Sequence, residues 1–290
     1  MRNERDIDEI KLRGKKQLLL ILAVCVVMAS IVLAAAFGQR ARSPAPEPPP
    51  DTPETQGVSA ESAPGEDPAY LPVYAPRTEI PPVELDDPAG LKLVALTFDD
   101  GPHPEHTPRL LDILREEGVR ATFFVIGLNI EKAPEPLARA AAEGHQIGNH
   151  TYHHKDLTKL GPERRAEEIE SCAALIEDVT GRRPNLLRPP YGVQSAALQA
   201  GADTPLIYWS IDPEDWRTRD ADKTYRHVME RVRDGDIILM HDWYGESVDA
   251  AERLIPALKA QGFTLVTVDQ LLAARGGAGP GDAVRKRPAE

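Results

Sequence analysis

Residues 91–102 read LKLVALTFDDGP, a mostly apolar run from Leu91 to Phe98, then two adjacent carboxylates, Asp99 and Asp100, then a Gly101-Pro102 turn. A short apolar run closed by turn residues reads as a buried strand. Adjacent residues leaving a strand point in different directions, so one carboxylate can bind a metal while its neighbour faces a reacting water. An Asx turn or helix cap accounts equally well for Asp beside Gly and Pro. Taken alone, the stretch leaves its chemistry open.

Working outward, Thr107 reads as the N-cap of a helix that carries Leu110, Leu111 and Leu114 on one face. Strands are expected at 121–127, 145–149, 186–188, 206–210, 236–241 and 264–268, with helical patterns between most of them, one over 136–143. Alternation of this kind predicts an α/β fold with a parallel sheet, open or closed into a barrel. Asp99, Asp100, His150, His154, Arg188 and His241 all fall at or just past the C-terminal end of an expected strand. That edge is where parallel α/β folds gather ligands and chemistry.

His150-Thr151-Tyr152-His153-His154 places two imidazoles four residues apart, close enough to share a metal if the backbone turns helically. His153 is a rival ligand, and a metal-free histidine loop is the plain alternative. Elsewhere, His103, His106, His145 and His153 read as loop or surface histidines, while Trp209, Trp243 and Tyr244 suit sugar stacking or simple packing.

Five motifs in order carry a resemblance to a known family. TFDDGP at 97–102, HTYHH at 150–154, RPPYG at 188–192, Asp212-Pro213-Glu214-Asp215-Trp216, and Leu239-Met240-His241-Asp242 together resemble the polysaccharide deacetylases of carbohydrate esterase family 4, the NodB-homology group, across about residues 91–272. The resemblance implies a distorted (β/α) barrel with fewer than eight strands. It implies that Asp100, His150 and His154 bind one divalent cation, Zn²⁺ in the simplest case, with Co²⁺, Ni²⁺ or Mn²⁺ as alternatives. Asp99 would be the general base toward the attacking water and His241 the general acid toward the leaving amine. Arg188 would orient Asp99, and Asp215 would orient His241, with Asp212 a rival for that part. The Tyr191 backbone N–H would stabilise the oxyanion, and Trp216 and Leu239 would wall the acetyl pocket.

The rest of the chain has a different composition. Leu18 to Phe37 is 20 residues without a charge, the length a helix needs to cross a bilayer. The basic residues before it outnumber Arg40 and Arg42 after it, which predicts a cytoplasmic N-terminus and an extracytoplasmic remainder. Cleavage of a leader near Ala34–Ala36 is the competing reading, disfavoured because the run is longer than a signal peptide's apolar region. The expected organisation is a cytoplasmic 1–17, a transmembrane helix over 18–38, a Pro-rich acidic disordered linker over 39–90, the deacetylase-like domain over 91–275 and a disordered tail over 276–290.

Net charge is −12, and residues 43–90 hold ten acids against Arg77 alone. No basic cluster emerges past residue 90, which excludes nucleic acid as a partner. Cys25 and Cys172 are poor candidates for a mutual disulfide, since the first falls in the apolar run. The expected partners are a polysaccharide, with peptidoglycan or another N-acetylglucosamine polymer favoured, and the membrane; the catalytic domain is expected to be a monomer. An O-acetyl esterase acting on a xylan-like polymer is the alternative within the same chemistry. A non-catalytic wall-binding protein is a further one, disfavoured because no motif position is substituted.

Overall fold

The computed structural model describes Leu85 and residues 88–286. The apolar run at 18–37 and nearly all of the linker lie outside the described residues, and no described helix is long and apolar enough to cross a membrane.

Strand β1 (Lys92–Asp99) is central. It is parallel to β5 (Asp236–His241) along one side. On its other side it meets β6 (Phe263–Val266) near its start and β2 (Thr122–Val125) near its end. Beyond β2 lies β3 (Gln146–Asn149), also parallel. Single bridges run on from Asn149 to Leu187 and from Leu187 to Leu206 in β4 (Leu206–Ile207), and a last one joins Ile211 to Ile238 of β5. The circuit therefore closes on itself as an irregular barrel with fewer than eight strands. Its weakest arc, from 184 to 211, contains Pro184, Pro189, Pro190 and Pro205, residues that cannot donate to a ladder.

Alternation along the strands divides inside from outside. Val94, Leu96 and Phe98 of β1 belong to the cluster under the surrounding helices. These helices include α1 (His106–Glu116), α3 (Pro134–Ala142), α4 (Pro162–Thr180) and α8 (Gly245–Ala260). Leu93 and Ala95 instead pack in the barrel interior with Phe124, Ile207, Ile237 and Val284. By the same parity Thr97 and Asp99 face inward, as do Leu239 and His241 of β5. The apolar floor of the barrel thus gives way to a polar layer at the strands' C-terminal ends.

Three expectations need correction here. Thr107 is the second residue of α1 and does not cap it; its hydroxyl accepts the His103 N–H at 2.7 Å and donates to Asp242. The folded region starts before Leu91, since Pro88–Gly90 form a turn whose Pro88 carbonyl accepts from Arg275 at 2.6 Å. The tail from Gly276 is not disordered over its described part. Strand β7 (Ala283–Val284) pairs with β4, and Val284 is fully buried, because an apolar side chain there completes the barrel floor.

Candidate active site

Asp99 ends β1, and the turn after it bends sharply: Asp100 adopts a left-handed backbone (φ 73). Neighbouring groups hold this turn. The Asp100 carbonyl accepts from Asn129 Nδ2 at 2.8 Å, and the Gly101 carbonyl accepts from the Ile126 N–H at 2.9 Å. Glycine is required at 101, since a Cβ there would stand 2.5 Å from both Asp242 carboxylate oxygens.

His150 and His154 do converge, with ring centroids 4.9 Å apart, but not through a helical turn. Residues 150–154 form an irregular loop in which Thr151 (φ 68) and His154 (φ 56) are both left-handed. Such backbone is rare outside glycine, and here it aims two side chains that an extended chain would splay apart. Tyr191, also left-handed (φ 61), lays its exposed ring 4.6 Å from that of His154.

Protonation follows from the hydrogen bonds. His150 Nδ1 lies 2.7 Å from the Arg188 carbonyl oxygen, which can only accept. Nδ1 therefore carries the proton, and Nε2 turns a lone pair toward Asp99 Oδ2 and Asp100 Oδ1, each 3.6 Å away. His154 Nε2 is 3.5 Å from the same Asp100 oxygen. Burial lowers the pKa of both imidazoles and raises that of Asp100. Asp100 Oδ1 is buried without a hydrogen-bond partner. Ligand atoms from Asp100, His150 and His154 lie within 4.8 Å of one another. Two acceptors, Asp100 Oδ1 and His150 Nε2, meeting His154 Nε2 around one point fit a divalent cation with mixed oxygen and nitrogen ligands.

Asp99 is held from the other side. Fully buried Arg188 donates to Asp99 Oδ1 at 2.6 Å and to Thr97 Oγ1 at 2.8 Å, and two further N–H groups reach the Ile207 and Tyr208 carbonyls at 3.2 Å. Its guanidinium stacks 4.0 Å from the Phe124 ring centroid. Burial lowers the Arg188 pKa, and the Asp99 charge partly offsets that. Removing a guanidinium from water is costly, and this degree of pairing is what makes it tolerable.

His241 ends β5. Asp215 takes its Nδ1–H at 2.8 Å and its backbone N–H at 2.9 Å, and Ser247 also donates to Asp215, at 2.6 Å. Nε2 is left free to carry a proton outward. Burial alone would lower the His241 pKa, but the Asp215 hydrogen bond and charge, with Asp99 and Asp100 behind, raise it to about 9. Asp212 is not the partner; it accepts the Glu214 N–H at 2.8 Å. Trp216 follows Asp215 on α6 (Asp215–Thr218) and is 47% exposed, while Leu239 is buried two residues before His241.

His153 turns away from the cluster to Glu168, with Nδ1 2.9 Å from the carboxylate. His145 is no surface residue: it is buried, its Nδ1 accepts the Ala121 N–H at 3.1 Å, and burial lowers its pKa to about 3. Sequence reasoning gave no role to Thr97 and Asp242, although both lie within quoted motifs, and did not single out Ser247; the contacts that define their parts span more than 30 positions.

A profile of the family described as polysaccharide deacetylase matches residues 86–206. The chain is 42% identical over 192 residues to the peptidoglycan-N-acetylmuramic acid deacetylase PdaC of Bacillus subtilis, covering 66% of this chain and 41% of that protein. It thus spans about two fifths of the length of the curated relatives that head the comparison. A peptidoglycan-N-acetylglucosamine deacetylase of Bacillus cereus is 37% identical over 207 residues, covering 68% of this chain and 97% of that protein. Among solved structures, the T48 deacetylase with substrate superposes with a TM-score of 0.66 at 47% identity, covering 68% of this chain and 98% of that one. A family 4 acetyl xylan esterase of Clostridium thermocellum, solved with a cobalt ion, gives 0.64 at 32% identity, covering 67% and 98%.

Proposed function

Since this chain belongs to the polysaccharide deacetylase family, we propose that it hydrolyses N-acetyl groups on an extracytoplasmic amino-sugar polymer, peptidoglycan or another N-acetylglucosamine polysaccharide, and releases acetate. The observation that carries this reading is the convergence of Asp100, His150 and His154 between a buried Asp99–Arg188 pair and a His241–Asp215 pair.

Asp100, His150 and His154 would hold one divalent cation, Zn²⁺ in the simplest case. Such a cation supplies Lewis acidity, lowering the pKa of water and polarising a carbonyl. Asp99, fixed by Arg188, accepts a proton from the water that attacks the acetyl carbonyl carbon. The Tyr191 backbone N–H donates to the oxyanion of the tetrahedral intermediate. As the carbon–nitrogen bond breaks, His241 gives its proton to the departing amine, leaving acetate and a free amino sugar. Asp215 keeps that proton on the imidazole beforehand. Leu239, buried two residues before His241, and the exposed Trp216, next to Asp215, bound the acetyl methyl group.

An ester carbonyl passes through a related intermediate, and the likeness to an acetyl xylan esterase supports O-deacetylation as the second reading. Acetate release from peptidoglycan, chitin oligomers and acetylated xylan, before and after chelation, tests both. Activity is expected on the amino-sugar polymers, to be lost on chelation and restored by Zn²⁺ or Co²⁺. Activity on xylan alone would favour the esterase, and full activity in metal-free protein would end the mechanism.

A further inference from the structure

A fixed cation stands beside this site with no anion to match it. Arg219 closes α6 in a left-handed conformation (φ 46). Its Nε–H donates to the Trp216 carbonyl at 2.8 Å, and its guanidinium carbon lies 3.1 Å from the centroid of the Tyr244 ring. That ring is 6.2 Å from the His241 ring. Burial raises the Tyr244 pKa, Arg219 opposes this, and the charges of Asp100 and Asp215 raise it further, so the pair lies within electrical reach of the catalytic carboxylates.

Arg219 is exposed, and holding a long exposed side chain in one arrangement costs conformational entropy. Its neighbours spend their charge internally: Arg217 pairs with Glu214, and Arg253 with Asp222. Arg219 has no carboxylate partner among the described residues. The carboxylates of the neighbouring motifs likewise spend their charge internally, Asp99 on Arg188 and Asp215 on His241, which leaves Arg219 as a fixed cation open to an incoming anion. A guanidinium held on an aromatic ring presents a planar fork of N–H donors that matches a carboxylate.

We propose that Arg219, seated on Tyr244, is a specificity-determining contact for a carboxylate on the substrate, so that the enzyme prefers an acidic amino-sugar polymer to a neutral chitin-like one. This rests on the deacetylase reading above. In peptidoglycan the carboxylate can come from the lactyl group of peptide-free muramic acid or from the stem peptide.

The test is steady-state acetate release by the full-length chain on three oligomers of equal length: neutral N-acetylglucosamine, peptide-free peptidoglycan glycan, and the same glycan bearing peptide. The native protein should show higher kcat/KM on at least one acidic glycan, and the glycan that shows it identifies the carboxylate. Arg219→Gln should lower that preference about ten-fold or more, chiefly through KM, as loss of one charge-assisted contact implies. Arg219→Lys should keep part of it. Added salt should raise KM for the preferred acidic glycan of the native protein and much less for the neutral oligomer, a readout that stands even if the variants fail to fold. Equal native kcat/KM on neutral and acidic oligomers, or an equal loss on both in Arg219→Gln, would overturn the proposal. Acetate from none of the three would overturn both it and the deacetylase reading.

Discussion

The His241 imidazole ordinarily loses its proton near ~6.5, and in the fold that point rises to about 9. Because the folded-state pKa is the higher one, the stability it contributes is complete below about pH 6.5 and is lost as pH climbs through about 9. A general acid needs its proton, so turnover should decline on the alkaline side, at a lower pH than the metal-free protein's about 9, because a cation bound at Asp100 would offset the Asp99 and Asp100 charges. Asp215→Asn removes the charge that holds this proton, and the alkaline limb of the pH–kcat profile should move to lower pH. An unmoved limb would detach His241 from the acid role. Arg188→Gln leaves the Asp99 carboxylate buried without its cation. Breaking a buried pair in this way costs on the order of 3–5 kcal/mol, which urea denaturation would read directly.

At the scale of elements, the turn after β1 and the strand β7 make opposite demands. Gly101→Ala would drive a Cβ into the Asp242 carboxylate, so the turn must shift and carry Asp100 with it. Metal affinity should fall while the fold, read by circular dichroism, persists; unchanged affinity would mean that Asp242 yields instead. Val284→Ala removes apolar atoms from the barrel floor and should cost about 1–3 kcal/mol by denaturant titration. A negligible cost would mark β7 as a loosely attached end. Strands β1, β2 and β5 were legible because their apolar runs are uninterrupted. The arc through Leu187 and β4 was shorter than expected, because prolines on both sides deprive it of ladder donors. The His150–His154 pairing was legible in spacing but not in conformation: nothing in the residue types announces left-handed Thr151 and His154. Val284 was hidden because two strand residues amid Gly and charged residues carry no periodic signal.

For the whole molecule, the proposed arrangement is a barrel tethered outside the cytoplasm by the apolar run at 18–37. Protease added to intact, wall-stripped cells should then release a folded fragment starting near Pro88; protection until the membrane is opened would reverse the orientation. A tether of this kind suits an enzyme working on its own envelope, in keeping with the amino-sugar reading. The central claim is that two adjacent carboxylates divide the labour, Asp100 binding the cation and Asp99 moving the proton. Metal content by mass spectrometry, measured alongside acetate release for Asp99→Asn and Asp100→Asn, tests it most directly. Asp100→Asn should lose metal and activity together. Asp99→Asn should keep its metal yet lose on the order of 10² to 10⁴ in rate, as general-base removal implies. If Asp99→Asn loses metal while Asp100→Asn retains it, the two roles are reversed, and if both variants keep full activity, the active site lies elsewhere.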